Sequence, residues 1–465
     1  MRLLKEFDFG NVKILVLGGW GTIGGNAVYI RDEGRGINLL FDYGVNFSAF
    51  NRFYEFPFLL PDSYKEMVYL NVIPDPSPID EHLDLLAISH LHTDHYKYFP
   101  AVKELNPAIG KLNVFVPIKD VLEAKMIYRD YRSSRRSSRI SLEDFRRENV
   151  FLSDDPSLIA SLGIRKFVVD HSVVPAYSYL YYSSEGSILY TGDFRLLKDR
   201  CEKCPFRDRC YLARMFEKEG FENWVKNRDE EIDVVISEGT NVGNVNEPFS
   251  EANVRREFIN ILDNADGLVL VFMSGMDLER MLSLVAALDV LNLERKLVLI
   301  DYQNAILVHK MLVGGYKELL SRFVLYVFPF SYREPPSIIS GWQKVSLDEI
   351  VRNPQDYIVI GYWRMLSFIK NLFMMVRERR IKLDGLIVHS TSEPHNESDE
   401  VKFDRIIYWA NILGFPIFHI HASGHISALE LKNILEKLKP KKIIPVHTEH
   451  PLVFRQMFKN IEIVL

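Results

Sequence analysis

Apolar residues along this chain fall in short runs, and most runs end on a residue that can bind a metal or move a proton. Val12 to Leu17 and Ala27 to Ile30 are apolar, separated by Gly18-Gly19-Trp20-Gly21-Thr22-Ile23-Gly24-Gly25-Asn26. Runs this short, bounded by turn residues, predict buried strands. Ile37 to Gly44 predicts another, carrying Asp42 at its end. Leu83 to Ser89 leads into His90-Leu91-His92-Thr93-Asp94-His95, and Leu112 to Val116 forms a further strand. Lys166 to Asp170 leads to His171, Ser187 to Gly192 to Asp193, and Ile232 to Ser237 to Glu238. Residues 46–80, rich in aromatics and proline, predict an ordered flap with little regular structure.

From about residue 246 the rhythm changes. Apolar strands Leu268 to Met273, Lys296 to Ile300, Phe323 to Phe328 and Tyr357 to Ile360 alternate with helical stretches such as Met276 to Val290. That alternation predicts βαβ units and a parallel sheet. The final stretch returns to strands ending in histidine: Gly385 to His389, Pro416 to His425 and Lys442 to His447. The expected organisation is therefore a first domain over 1–245, a second over 246–384, and a return to the first over 385–465.

The histidine cluster carries the chemistry. Side chains alternate along a strand, so His90 and His92 point to one side of its end. Asp94 and His95 follow where the chain turns, and can face a second point. Three imidazoles and a carboxylate within six residues are a ligand set for borderline divalent metals, zinc above all. The glycine stretch invites a dinucleotide-binding reading, but a strand and not a helix follows it.

Composition narrows the setting. The 465 residues are 47% hydrophobic, enough to bury a large core. A net charge of -5 makes no global demand for nucleic acid. The N-terminal residues turn charged at once, so no secretory leader is expected, and no apolar run approaches the ~20 residues of a membrane span. The three cysteines are too few for a disulfide framework, and a cytoplasmic protein is expected. Cys201, Cys204 and Cys210, spaced C-x₂-C-x₅-C, point to a structural metal or iron–sulfur centre lacking a fourth cysteine. Arg129, Arg132, Arg135, Arg136, Arg139, Arg146 and Arg147, with serines between, make either a solvated face or a phosphate-contacting one.

The order Asp42, His90-x-His92-x-Asp94-His95, His171, Asp193, Glu238, His425, His447 resembles the metallo-β-lactamase fold, and within it the β-CASP nucleases. Ser237-Glu238-Gly239-Thr240-Asn241, His421-Ala422-Ser423-Gly424-His425 and Pro445-Val446-His447-Thr448-Glu449 carry the β-CASP likeness. Val271 to Gly275 and His389 to Pro394 are similar to ribonuclease J, as is Gly18-Gly19-x-Gly21-x-Ile23-Gly24. The resemblance implies an α/β fold: a metallo-β-lactamase αββα sandwich with an inserted β-CASP α/β domain. It implies two zinc ions per chain, one held by His90, His92 and His171, the other by Asp94, His95 and His447, with Asp193 between them. Asp42 would orient a ligand by a hydrogen bond. Two such ions ~3.5–4 Å apart activate water and clamp a phosphate oxygen. Catalysis would rest on Asp94, Glu238 and His425, with His425 protonating the leaving oxygen. His421, Ser423, Ser390, Thr391 and Ser392 would contact substrate phosphate.

The implied activity is RNA hydrolysis on single strands, 5′-to-3′ and exonucleolytic, leaving 5′-phosphate and 3′-hydroxyl. The alternatives are a DNA nuclease of the Artemis-like group, a small-molecule hydrolase of the same fold, or an inactive scaffold. The Artemis group typically carries valine where this chain has His447, and all seven ligands are present, which favours an RNA enzyme. Two departures stand out. The family usually continues its histidine motif with Ile-Gly-Gly, where this chain has Tyr96-Lys97-Tyr98. Little chain follows His447, so the likeness is to short, archaeal-type members and a homodimer is left open.

Overall fold

The structure, a computed structural model, describes residues 5–55, 58–119, 122, 149–196, 219–244, 250–274, 276–300, 302–313, 316–328, 337–362, 364–391 and 397–465. The chain divides into two compact units. The first comprises the described residues up to Leu196, those of 219–244, and Gly424 to Leu465; the second comprises those from 250 to Ser423.

Two mixed sheets form the first unit. One runs in the order Lys5–Phe9, Val12–Gly18, Ala27–Asp32, Ile37–Phe41, Leu85–Ala87, Leu112–Phe115, Val150–Ser153. Its first four strands are antiparallel neighbours and its last four are parallel neighbours. The other runs Glu462–Ile463, Lys442–Pro445, Val234–Ser237, Ser187–Tyr190, Ala176–Tyr182, Ile164–Val169. Their inner faces meet through aromatic rings. Phe41 stacks on Tyr179 and Tyr190, with centroids 5.6 and 5.2 Å apart, and the Tyr179 hydroxyl donates to Ile88 O at 2.6 Å. Such stacks add to burial what non-directional apolar contact lacks, a fixed register between sheets.

On its other side, the second sheet is covered by the helix Ala428–Leu438. Leu431, Ile434, Leu435 and Leu438 recur at helical spacing and join one buried cluster with Phe167, Leu189 and Val235. Ser427 and Glu430 close a capping box at its start, which sets where the helix begins.

The second unit holds a seven-stranded sheet in the order Lys344–Val345, Phe323–Tyr326, Lys296–Leu299, Tyr357–Gly361, Leu268–Phe272, Gly385–His389, Ile417–His419. All pairings are parallel. Leu268–Phe272 is buried along its whole length, as a strand covered on both faces requires.

The α/β class expected from the sequence is what the chain adopts, with two sheets packed face to face in the first unit and a parallel sheet in the second. Two local expectations are corrected. Residues 46–80 are not without regular structure. Asn46 caps a helix Phe47–Phe53 by accepting from Ala49 N, and Ser63 caps Tyr64–Tyr69 by accepting from Glu66 N. The chain also re-enters the first unit at Gly424 and not at 385, because Gly385–His389 and Ile417–His419 pair in parallel within the second unit's sheet. Among the described residues no helix is long and apolar enough to cross a membrane.

Asp32 ties the two sheets of the first unit at their edge. Fully buried, it accepts from Arg35 N (3.0 Å), Ser184 Oγ (2.6 Å), Ser184 N (2.9 Å) and Tyr181 OH (2.7 Å). Burial pushes its pKa up, but the Ser184 and Tyr181 bonds outweigh this and hold it below the usual carboxylate value. Asp32→Asn should cost about 2–4 kcal/mol at neutral pH, because an amide nitrogen would face donors. A carboxylate with a lowered folded pKa stabilises above its unfolded value and loses that contribution as pH falls. The gap between wild type and variant in urea unfolding should therefore be full at neutral pH and shrink below about pH 4.

Candidate metal centre

Every residue at this centre comes from a strand end or the turn after it. Leu85–Ala87 delivers the turn bearing His90 and His92, and the short helix Thr93–Tyr96 carries Asp94 and His95. Ile164–Val169, Ser187–Tyr190, Val234–Ser237 and Lys442–Pro445 deliver His171, Asp193, Glu238 and His447. His90, His95 and His171 are fully buried, and Asp193 and His447 nearly so.

Close backbone approach shapes this end of the unit. A Cβ on Gly44 would lie 1.8 Å from the carbonyl carbon of Asp94, so only glycine fits there. Gly24, at φ +84°, would bring a Cβ within 3.2 Å of that of Asp94. The glycine-rich loop therefore serves to pass beside the metal-ligand turn, which answers the dinucleotide reading.

The outward nitrogen of each ring decides what its inward nitrogen presents. His171 Nδ1 donates to Gly424 O at 2.6 Å. His95 Nδ1 donates to Asp42 Oδ2 at 2.7 Å. His90 Nδ1 lies 3.0 Å from Ser89 Oγ, which itself donates to Asp42 Oδ2 at 2.7 Å. His447 Nδ1 lies 2.8 Å from Thr240 Oγ1. With those protons placed outward, lone pairs point inward. His92 Nδ1 then sits 3.1 Å from His90 Nε2 and 2.9 Å from His171 Nε2. Asp193 Oδ2 lies 3.6 Å from His90 Nε2, 3.0 Å from His95 Nε2 and 3.5 Å from His447 Nε2. Asp94 Oδ2 is 3.1 Å from His447 Nε2 and 3.7 Å from His95 Nε2.

This donor set fits divalent ions. Facing lone pairs repel unless a cation lies between them. Two donors bound tetrahedrally to one zinc at 2.0–2.1 Å lie about 3.3 Å apart, and the contacts above bracket that spacing. The donors form two groups, His90, His92, His171 with Asp193 and Asp94, His95, His447 with Asp193, each with ligand atoms within 4.8 Å of one another. A third group, Asp193, Glu238, His425 and His447, is equally compact.

Electrostatics agrees. Burial first, then neighbouring imidazoles, holds His90 well below the ordinary histidine value, and burial with His92 does the same for His171. Burial brings His92 to about 4. All three stay neutral, as ligands must. His95 goes the other way: burial lowers it, but Asp193, Asp94 and Asp42 outweigh burial and raise it well above normal. A divalent ion would replace that proton.

His425 stands beside these groups. Its Nδ1 is 3.0 Å from Glu238 Oε2 and 3.1 Å from Thr240 Oγ1. Glu238 Oε1 accepts from Phe194 N at 2.7 Å, which fixes the carboxylate. Burial lowers the His425 pKa, yet Glu238 and Asp193 raise it to about 9.

The remaining expected site residues belong to the second unit or lie outside the described residues. Ser390 is buried in the second unit, and its hydroxyl donates to Ile420 O at 2.8 Å while accepting from Arg280 Nη1 at 2.6 Å. Its proton is committed to Ile420 O. Thr391 Oγ1 is 2.9 Å from His389 Nε2. His421 and Ser423 are half-buried in the segment after Ile417–His419. Ser392, the cysteine triplet and the arginine segment lie outside the described residues. The sequence reading missed Ser89, Thr240 and Tyr190, the last donating to Asp42 Oδ2 at 2.7 Å. It also missed Asn26, whose amide nitrogen is 2.9 Å from His95 Nε2. Ser89 and Thr240 adjoin recognised motifs; Tyr190 and Asn26 leave no sequence signal.

Asp42→Asn should weaken metal binding about 10–100-fold, because an amide cannot accept from His95, Ser89 and Tyr190 together. Titration of metal-free protein with zinc against a competing chelator measures it. Unchanged affinity would mean that Asp42 does not orient His95.

Several known proteins are similar to this chain. Residues 416–461 match the family described as the Zn-dependent metallo-hydrolase RNA specificity domain. Ribonuclease J of Mycobacterium tuberculosis strain H37Rv is 22% identical over 451 residues, 94% of this chain and 69% of the relative. Ribonuclease J of Helicobacter pylori strain 26695 is 23% identical over 460 residues, 96% of this chain and 57% of the relative. A solved structure of a protein of unknown function from Enterococcus faecalis V583 superposes with a TM-score of 0.64 at 17% identity, covering 98% of each chain. The chain is thus similar to ribonuclease J along nearly its whole length.

Proposed function

We propose that this ribonuclease J-like chain is a zinc-dependent ribonuclease that degrades single-stranded RNA from the 5′ end. The observation that carries the reading is the convergence of inward lone pairs on Asp193, with the His425–Glu238 pair alongside. A small-molecule hydrolase would need the metal groups, but not a second α/β unit nor a match to an RNA specificity domain.

His90, His92 and His171 would hold one ion, Asp94, His95 and His447 the other, and Asp193 both. Bound there, two such ions supply Lewis acidity toward a phosphoryl oxygen and a water of lowered pKa. The chain's own groups do the rest. Water adds to phosphorus and releases one proton to solvent, and the bond to the 3′ oxygen breaks. That oxygen takes a proton from His425, whose Nδ1 is turned to Glu238, leaving Nε2 for the substrate. In the metal-free protein, against the lowering by burial, Glu238 and then Asp193 raise the His425 pKa to about 9; with Asp193 engaged by metal, the Glu238 contact is what favours the protonated form. The products are a 5′-phosphate and a 3′-hydroxyl.

End-labelled RNA bearing 5′-monophosphate, 5′-hydroxyl or 5′-triphosphate tests the direction. Mononucleotides released only from 5′-monophosphate RNA are expected; internal fragments from all three would make the enzyme an endonuclease. Equal cleavage of matched DNA would point to the DNA alternative.

Purified protein should carry close to two zinc ions per chain by elemental analysis. Asp193→Ala should lose metal and activity together, and full activity in this variant would sink the two-metal reading. His425→Ala should keep its zinc while turnover drops roughly 10²–10⁴-fold. If its zinc falls instead, His425 is a ligand.

A further inference from the structure

The turn after Val234–Ser237 does more than deliver Glu238. It continues as Gly239-Thr240-Asn241, and Glu238, Thr240 and Asn241 all hold His425. Asn241 Nδ2 donates to His425 O and to Ile426 O, each at 3.1 Å. Gly239 lets the turn press against its neighbours. A Cβ there would lie 2.7 Å from the ring of the fully buried Phe454 and 3.2 Å from Thr448 Cβ. The turn is thus fixed between the His425 backbone and the residue that follows His447.

Thr240 Oγ1 sits between two rings that have different work. It is 2.8 Å from His447 Nδ1 and 3.1 Å from His425 Nδ1. A hydroxyl has one proton and two lone pairs. It can accept an N–H from each ring at once and donate its own proton to His447 O, 3.4 Å away. With Nδ1 protonated on both rings, each is left with Nε2 as its working nitrogen. His447 turns Nε2 to Asp94 Oδ2 at 3.1 Å, among the metal donors. His425 shares its Nδ1–H with Glu238 Oε2 at 3.0 Å.

Residue type does not separate these two histidines. His425 Nδ1 is 3.8 Å from Asp193 Oδ2, and the two ring centroids are 5.3 Å apart. Asp193, Glu238, His425 and His447 are as compact as either group that would hold an ion. A lone pair on His425 Nδ1 would be a metal ligand there. A proton held on Nδ1 forbids it, and holding that proton takes acceptors.

We propose that Thr240 is a positioning residue that assigns the two histidines their roles. By accepting from both Nδ1–H groups, its hydroxyl aims His447 at an ion and keeps His425 out of the coordination sphere. That His425 then acts on RNA rests on the ribonuclease reading. The assignment of the two rings rests on the hydrogen bonds alone.

Thr240→Val keeps the side chain's shape and removes the hydroxyl, whereas Thr240→Ser removes a methyl and keeps the hydroxyl. The aim of His447 is read in a His425→Ala background, where that ring cannot substitute. There, zinc titration against a competing chelator should show one of the two ions bound about 10- to 100-fold more weakly in Thr240→Val and unchanged in Thr240→Ser. The exclusion of His425 is read from the visible absorption of cobalt(II)-loaded protein, which reports the ligands around the ion. Adding His425→Ala should leave that spectrum unchanged in wild type and in Thr240→Ser, and change it in Thr240→Val. Equal zinc affinity with and without the hydroxyl overturns the proposal, as does a Thr240→Val spectrum that ignores His425. So does a Thr240→Ser variant as impaired as Thr240→Val, which would make the role one of packing. If Thr240→Val does not fold, Thr240→Ala takes its place, and affinity must still follow the hydroxyl. Metal readouts as expected in a protein that cleaves no RNA would refute the ribonuclease reading and leave the assignment standing. RNA cleavage by wild type, with metal readouts indifferent to the hydroxyl, would do the reverse.

Discussion

The facing of unshared electron pairs at one end of the first unit is the constraint on which the rest depends. Buried imidazoles cannot rely on water, so each donates its outer N–H to a fixed acceptor: Gly424 O, Asp42, Ser89 or Thr240. Once those bonds are made, the inner nitrogens have no choice of role. They crowd within 2.9 to 3.1 Å around His92, an arrangement that is repulsive without a cation and attractive with one. The acceptors behind the candidate ligands thus fix the orientation on which metal binding would depend.

Holding that arrangement strains the backbone. Asp42 and His447 both occupy the left-handed region, at φ 58° and 49°. Residues so placed cost about 1–3 kcal/mol each and persist only where surrounding bonds over-determine them. Asp42 is held by Ser89 N, Ser89 Oγ, His95 and Tyr190. His447 is held by its N–H to Gly19 O at 2.7 Å, and its ring by Thr240. Strain and glycine-only contacts gather at the same end of the sheets, where the chemistry needs side chains to converge.

The second unit follows a different logic. The central strands of its parallel sheet are apolar, and beside them lies a buried ion pair. Arg280, fully buried, meets Glu251 through Nε and Nη2 at distances down to 2.6 Å, Ser390 through Nη1, and Ala422 O through Nη2. A buried pair of this kind adds little net stability. What it does here is tie the turns after Gly385–His389 and Ile417–His419 to one helix, so the segment carrying His421 and Ser423 leaves the sheet along a defined path.

Much of this was legible in the sequence, for a definite reason. The residues of the candidate metal centre sit at strand ends, and a strand ending in an ionisable residue is a local pattern that neighbouring residues already display. His90 to His95, His171, Asp193, Glu238 and His447 could therefore be picked out one by one, and the alternation after residue 246 predicted a parallel sheet. What supports those ligands was not legible. Tyr190 reaches Asp42 across 148 residues, and Asn26 reaches His95 across 69. Tyr190 reads as an ordinary strand residue and Asn26 as an ordinary loop residue. The return point of the chain was hidden for the same reason. Strand Gly385–His389 is apolar and ends in histidine like the strands of the first unit, and only its pairing with Leu268–Phe272 assigns it to the second. Residue type and period determined which groups could act. Hydrogen bonds between distant segments decided which nitrogen faces inward, because a tautomer is chosen by its partner and not by its neighbours in the chain.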